Sequence, residues 1–510
     1  MNIEIKSIDL DPAIFTKTDK VFAVAMLICG FLYWNLIPLA SLGAGVSIFA
    51  LILCLVIGSY LKKSEWHQTK ESRLWLGIIA LSAANFALFD NIITKKFNFI
   101  FLSVLVIYWI CISTGRRLDG KLSVYFIGDF INQTLVIPFC NFSGCFGALK
   151  DEFSKNMHGK RFLSALIGIL VFLPVMALVI NLLIDADVAF ENLIAQLRFS
   201  LSRSMLEYLL QIVLGIPVAS YLYGLVYGDR YGKHTHHITL TSLDKNASAL
   251  QFAPGLSVYA ALTTLNAIYM VFFATQASYL FSAFASDIPG SMTYAEYARR
   301  GFFELCTIAG INLCVIATAH LFTNRKNEAN GDAPQILRIE TAVLCVFTLM
   351  LITTALSKMV LYIQYYGLTQ LRTYTTWFMI LMFVIFVLVA VRQFHSFNSS
   401  KFIITSLIIG FLILSYGNTD GIIAKYNIDR YREGTLKTVD VPALTELSDA
   451  AVPYMYDLYM ETKDEALKNQ LKSAITGVYE EYVMTLPYEP TFRDFNFQKY
   501  RADQIRTAID

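Results

Sequence analysis

Apolar runs long enough to cross a bilayer follow one another from residue 21 to about residue 419, and then about ninety polar, helix-prone residues close the chain. Hydrocarbon holds no water to satisfy backbone N–H and C=O groups, so such runs must be helices, and their number requires most of them to pack into one bundle. The chain therefore reads as all-α. It divides into a cytoplasmic N-terminal segment (1–20), a polytopic bundle of about 11 transmembrane helices (21–420) and a small helical extramembrane tail (421–510). A composition of 56% hydrophobic and 16% charged residues lies outside the soluble range. The net charge of +2 comes from Lys and Arg scattered between apolar runs, which excludes a nucleic-acid partner, since that needs a clustered basic face.

The expected spans are about 21–39, 41–61, 74–93, 97–114, 162–184, 205–227, 253–285, 302–322, 336–357, 376–394 and 402–419. Asn85 and Asp90 interrupt the third, and the seventh is long enough to tilt. No cleavable leader is expected, because the first run follows mixed-charge residues and passes through Pro38 into the second. With the N-terminus inside, most loop cations fall on the inner side, among them Lys62, Lys63, Arg116, Arg117, Lys121 and Arg230. The positive-inside rule favours that orientation, and an odd number of spans then puts the tail outside. Residues 122–139, broken by Gly128, Asp129, Asn132 and Pro138, read as an interfacial or re-entrant helix in the longest inner connection. Pro442, Pro453, Pro487 and Pro490 cut the tail into short helices.

Two clusters carry charge to the outer boundary. Thr293 and Glu296 match a capping box, and Glu296, Arg300 and Glu304 share one helix face beside Arg299. The plain reading is a capped helix with interfacial ion pairs; the functional one is that Glu304 lines a substrate or proton path. Lys358, Tyr362, Tyr365 and Thr369 share helical spacing at the end of the ninth span, with Arg372 opening the tenth. Here the alternatives are an aromatic belt with snorkelling cations, or pairing of Lys358 and Arg372 with Glu296 or Glu304.

Six of the eight cysteines lie in apolar runs as packing residues, while Cys140 and Cys145 flank a loop-like stretch that could serve a metal only with ligands from elsewhere. His234, His236 and His237 lack a carboxylate at helical spacing and form a poor metal set, so neither a metal nor a cofactor is expected. No phosphate loop, nucleophile elbow, zinc-protease or kinase signature occurs, and the reading leans away from an enzyme. A lipid-modifying enzyme would need Asp90 or Asp129 beside a base, which no spacing supplies.

The segments around Glu296 and Lys358, with Asn418 to Tyr431 and Phe492 to Ala502, resemble a bacterial multi-pass membrane family catalogued as a domain of unknown function, the 4153/4173 type. The resemblance covers about residues 250–505. It implies a bacterial cytoplasmic membrane protein and marks Tyr294, Glu296, Arg299, Lys358, Tyr362, Arg372, Asn427, Asp429 and Arg430 as motif positions. Phe492 and Phe495 stand where that family carries a Trp-containing motif.

The leading expectation is a transporter-like or small-molecule-binding protein. Its candidate charged site is Glu296, Arg299, Arg300, Glu304, Lys358, Tyr362 and Arg372 at the outer ends of the eighth to tenth spans, covered by the tail; Asn427, Asp429 and Arg430 form a separate tail motif. The alternative is a non-transporting envelope sensor or scaffold that docks a protein through tail aromatics such as Tyr454, Tyr456, Tyr459 and Tyr482.

Overall fold

A computed structural model describes residues 15–62, 69–153, 203–235, 237–285, 302–324, 333–477 and 491–509, with isolated positions between 168 and 190. Among these residues every regular element is helical, and one isolated bridge pairs Ala253 with Thr323. The long helices are α1 (Lys17–Leu36), α2 (Ala44–Lys62), α3 (Lys70–Leu88) and α4 (Ile92–Thr114). After the short α5 (Phe126–Ile131), α6 (Ile137–Cys140) and α7 (Gly144–Phe153) come α8 (Arg203–Tyr231) and α9 (Leu240–Leu250). Then follow α10 (Gly255–Ala285), α11 (Phe302–Phe322), α12 (Gln335–Tyr366), α13 (Gln370–Phe394) and α14 (Ser399–Tyr416). The tail holds α15 (Thr419–Arg432), α16 (Val441–Thr445), α17 (Val452–Glu461), α18 (Glu465–Thr476) and α19 (Phe497–Ile509).

Nine of the described helices are long and apolar enough to cross a membrane, which points to a multi-pass membrane protein. The described residues account for nine of the eleven expected spans. The span at 162–184 lies outside the described residues, and the one at 74–93 becomes α3, which ends at Leu88 and carries Lys70, Glu71 and Arg73 in its first turn. Its polar residues have partners across the helix interface: Ser82 Oγ donates to Asn98 Oδ1 (2.7 Å), and Asn98 Nδ2 returns to the Ser82 carbonyl (2.8 Å).

Hydrogen bonds sort the helix ends to two poles. At one, Asp19 in the first turn of α1 accepts from Tyr60 at the end of α2 and from Tyr231 at the end of α8, while Arg117 beyond α4 pairs with Glu71 at the start of α3. At the other, Arg493 donates to the Asn35 carbonyl, the Ala44 amide to Phe495 and Asn85 to the Ser415 carbonyl. The N-terminal end of α1 and the tail thus occupy opposite poles. Both ends of the 115–153 connection stay at the first pole, since Arg116 donates to the Asp229 carbonyl and Asp151 pairs with Lys20. Between them, α5, a π-helical turn (Asn132–Val136) and α6 form one helical stretch. It buries Asp129, Asn132 and Gln133 and exposes Ile127, Ile131, Leu135 and Phe139.

Three apolar cores result. The first joins α1 to α4, α5 to α7 and α8. Its tightest crossing is between α1 and α8, where a Cβ on Gly30 would collide with the Gly215 carbonyl and one on Gly215 would lie 2.6 Å from Gly30. The second core gathers α10, α11 and α13 around α12. A polar chain crosses it: Tyr269 OH donates to Asn312 Oδ1 (2.9 Å) and Asn312 Nδ2 to Thr348 Oγ1 (2.9 Å). Helix α14 touches both, through Ile404 and Ile408 on one side and Ile403 on the other. The third core belongs to the tail and includes Ala424, Ile428, Leu444, Met455, Leu458, Leu471, Ile475 and Ala502. Tyr454, Tyr456 and Tyr459, expected as exposed docking aromatics, are half-buried against it, because α17 needs their rings to complete so small a core; Tyr482 lies outside the described residues.

Candidate functional site

Helix α12 runs to Tyr366, and Gly367 (φ +75°) turns the chain into α13. Only glycine suits this position, since φ is left-handed and a Cβ would strike the Asn427 side chain. A helix end leaves carbonyls without intrahelical partners and concentrates negative partial charge. Here two guanidinium groups serve them. Arg430 donates to the Ile363 carbonyl (3.1 Å), and Arg372 to those of Tyr366 (3.0 Å) and Gly367 (2.6 Å). Asn427 brackets the next residue, accepting from the Leu368 amide and donating to its carbonyl, both at 2.8 Å. The tail motif therefore holds the α12–α13 turn from above.

Arg372 also lies over the Tyr362 ring (4.0 Å), and Tyr362 meets Tyr366 edge to face (5.4 Å). One turn below Tyr362 on the same helix is Lys358, 7% exposed. Above the turn opens a cleft of about 820 Å³. Its walls are Tyr365, Tyr366 and Thr369 to Leu371 on the bundle side, Ile423 and Asn427 on α15, and 435–447 from the tail. Tyr366 lines the cleft and also meets Tyr362, which stands one turn from Lys358 on the same helix.

Of the sequence-expected residues, the structure thus gathers Lys358, Tyr362, Arg372, Asn427 and Arg430. Pairing of Arg372 with Glu296 or Glu304 was one of two alternatives; among the described residues its guanidinium serves carbonyls and covers the Tyr362 ring. Glu304 stands exposed in the first turn of α11. Glu296, Arg299 and Arg300, with Tyr294, lie outside the described residues. Asp429 faces away from the turn, pairing with Arg432 (3.2 Å), which also reaches Glu461.

Sequence reasoning missed the polar node beside the cleft. Asp420, 1% exposed, accepts from Asn91 (2.8 Å), from Gln370 of the cleft wall (3.0 Å) and from the Ser448 amide (3.0 Å). Asp90 accepts from Asn496 (2.7 Å) and lies 3.6 Å from buried Lys95. In the tail, burial pushes the Asp449 carboxyl above its ordinary range against the opposing effect of Arg506, which chelates it and donates to the Ile475 carbonyl. The sequence signal is the polar pair Asp90-Asn91 between two apolar runs, which falls within the expected third span of 74–93. A second node at the opposite pole was also missed: buried Asp19 accepts from Thr16, Tyr60 (2.7 Å) and Tyr231 (3.0 Å), with Arg230 at 3.6 Å. Its one sequence trace is the Thr16–Asp19 capping box.

A family model described as Domain of unknown function (DUF4153) matches residues 76–458. The match begins inside α3 rather than near residue 250, so it takes in most of the first core as well as the second, and it stops within α17, ahead of the Phe492 motif. No curated protein and no solved structure matches the chain.

Proposed function

The chain belongs to the DUF4153 family, and from that premise and the geometry at the tail pole we propose an integral membrane protein that binds a small polar molecule in the cleft under residues 435–447, in transporter-like fashion. The cleft carries this reading. Its volume suits a small molecule, two tyrosine faces offer stacking, and Thr369, Gln370, Thr438 and Asp440 offer hydrogen bonds. Buried Lys358 supports a continuation into the bundle, because an ionisable group within an apolar span is costly to keep without a role. The cytoplasmic membrane is the proposed location, with the tail extracytoplasmic. Lys62, Lys70, Arg116, Arg117 and Arg230 at the pole opposite the tail support that orientation.

The test is a thermal-shift screen of purified chain against polar metabolites, repeated with the cleft-filling variant Thr438→Trp. Ligands should raise the wild-type midpoint and leave the variant unmoved. Equal shifts in both proteins, or a Thr438→Trp strain with every gene phenotype intact and no ligand found, would sink the reading.

A second reading, a non-transporting envelope sensor or scaffold, draws on Phe492, Phe495, Phe497 and Tyr500, all exposed on the tail. Deleting residues 432–510 cannot separate the two ideas, since Arg493, Asn496 and Gln498 are bonded to the bundle. Phe492→Ser with Phe497→Ser removes the two most exposed rings of the patch and spares those bonds. Loss of phenotype in that double variant, with ligand shifts intact, favours the scaffold.

A further inference from the structure

At the pole opposite the tail, α6 lies directly on α8. A Cβ on Gly224 would be 2.6 Å from the Pro138 carbonyl oxygen, and one on Gly228 would be 2.5 Å from Asn141 Nδ2. Two glycines four apart thus permit the approach. Asn141 then ties the segments together, donating to the Ile137 carbonyl (2.9 Å) and across to that of Lys233 (3.3 Å). Beyond α8 the chain folds back tightly, with the Lys233 amide on the Gly228 carbonyl and Thr235 on that of Gly232. His234 is held at φ +60°, a left-handed conformation uncommon for a residue with a side chain.

The consequence is a meeting of residues distant in sequence. Cys140 Sγ and one ring nitrogen each from His234 and His237 lie within 4.8 Å of one another, all three side chains exposed. The imidazoles are nearly parallel (3°), with His237 Nε2 3.4 Å from His234 Nδ1. Tetrahedral Zn²⁺ with bonds of about 2.0–2.3 Å spaces its ligand atoms roughly 3.3–3.8 Å apart. The separations here come within side-chain rotation of that geometry.

We propose that Cys140, His234 and His237 form a Zn²⁺ site at this pole, with a fourth position open to water. One thiolate and two imidazoles suit zinc and exclude Mg²⁺ and Ca²⁺, which take oxygen donors. Cys140 binds as the thiolate and its proton passes to solvent, so affinity rises with pH until the thiol and both imidazoles are deprotonated. The bound ion would join the turn after α8 to the end of α6, adding to the bond from Asn141 to the Lys233 carbonyl.

The experiment uses the full chain in nanodiscs, stripped of metal and titrated with Co²⁺ as a spectroscopic probe and then with Zn²⁺ in competition. Wild type should take up one equivalent of Co²⁺ with a thiolate-to-metal charge-transfer band. Cys140→Ser should abolish that band. His234→Ala and His237→Ala should each weaken Zn²⁺ binding at least about tenfold, since loss even of an outer-shell partner costs that much. Cys314→Ser, an exposed cysteine on α11, should change nothing. All substituted side chains are exposed, and a monodisperse elution profile verifies folding. A band that survives Cys140→Ser, no band in wild type, or equal Zn²⁺ affinity in wild type and in a variant combining Cys140→Ser, His234→Ala and His237→Ala would each overturn the site.

Discussion

The first core and the second are built from helices of similar apolarity, yet they treat charge differently. The first buries Asp19, Lys95, Asp129 and Asp229 and surrounds them with partners: Asp229, for example, accepts from Gln133 (2.9 Å) and Thr114 (3.2 Å). The buried polar residues of the second are mostly neutral, Asn266, Asn312, Thr341, Thr348, Thr354 and Gln393, with Lys358 the charged one among the described residues. Burying a charge demands fixed partners, so the first half is a cross-tied scaffold. The second depends on α12 as an axis, and the described parts of α10 and α11 bury a smaller share of their residues than α12 does. The cleft opens at the end of that axis, where the tail holds the α12–α13 turn through Arg430 and Asn427.

This contrast predicts unequal responses to substitution. The largest is expected for Asp19→Asn, which strips Arg230 of its counter-charge in a buried setting and should cost ~3–5 kcal/mol in unfolding from mixed micelles. A loss below 1 kcal/mol there would remove the basis for calling the first half cross-tied.

Next comes Asp129, outside the membrane-spanning helices, whose carboxyl burial raises from 3.8 to about 6 against the opposing amide of Leu118. Because the folded value is the higher, its contribution is present in full below 3.8 and lost as pH rises through about 6. Stability should therefore fall on the order of 2–3 kcal/mol across that window, and Asp129→Asn should flatten the profile. An unchanged slope in the variant would assign the pH dependence to other groups.

Gly367→Ala should cost about 2 kcal/mol, from a positive φ plus contact with Asn427, and should loosen the tail as well as the turn. Proteolysis of the 435–447 segment would read this out; an unaltered cleavage rate would mean the tail is held independently of the cleft. The smallest effect is expected in the second half. Glu340→Gln weakens bonds from Thr263 (2.8 Å) and Asn266 (2.7 Å) at a partly exposed site and should cost about 1 kcal/mol. If it matched Asp19→Asn, the two halves would be equally constrained and the comparison would fail.

Much of the fold was legible along the chain, and less of the site. Residues 122–139 stood out in the sequence as a semi-apolar run broken by Gly128, Asp129, Asn132 and Pro138, and in the structure Asp129, Asn132 and Gln133 are buried while Ile127, Ile131, Leu135 and Phe139 face out. Spacing on one helix placed Lys358 beneath Tyr362. It was silent on Arg372, whose partners are carbonyls, groups that every residue possesses and no sequence pattern marks. Asp90 reads in the sequence as an interruption of the third span, yet it is the docking point for Asn496, and its neighbour Asn91 donates to Asp420.

Helicity, membrane class and the break at the tail follow from the sequence by itself, because each depends on hydrophobicity accumulated over some twenty neighbouring residues. Which helix ends meet was decided only by tertiary structure. Asp19 finds Tyr60 and Tyr231, Asn427 finds Leu368, and Cys140 finds His234 and His237 because backbones approach closely at Gly30 with Gly215, at Gly367, and at Gly224 with Gly228. A glycine in a sequence reveals that such an approach is permitted; only the packed chain reveals with what.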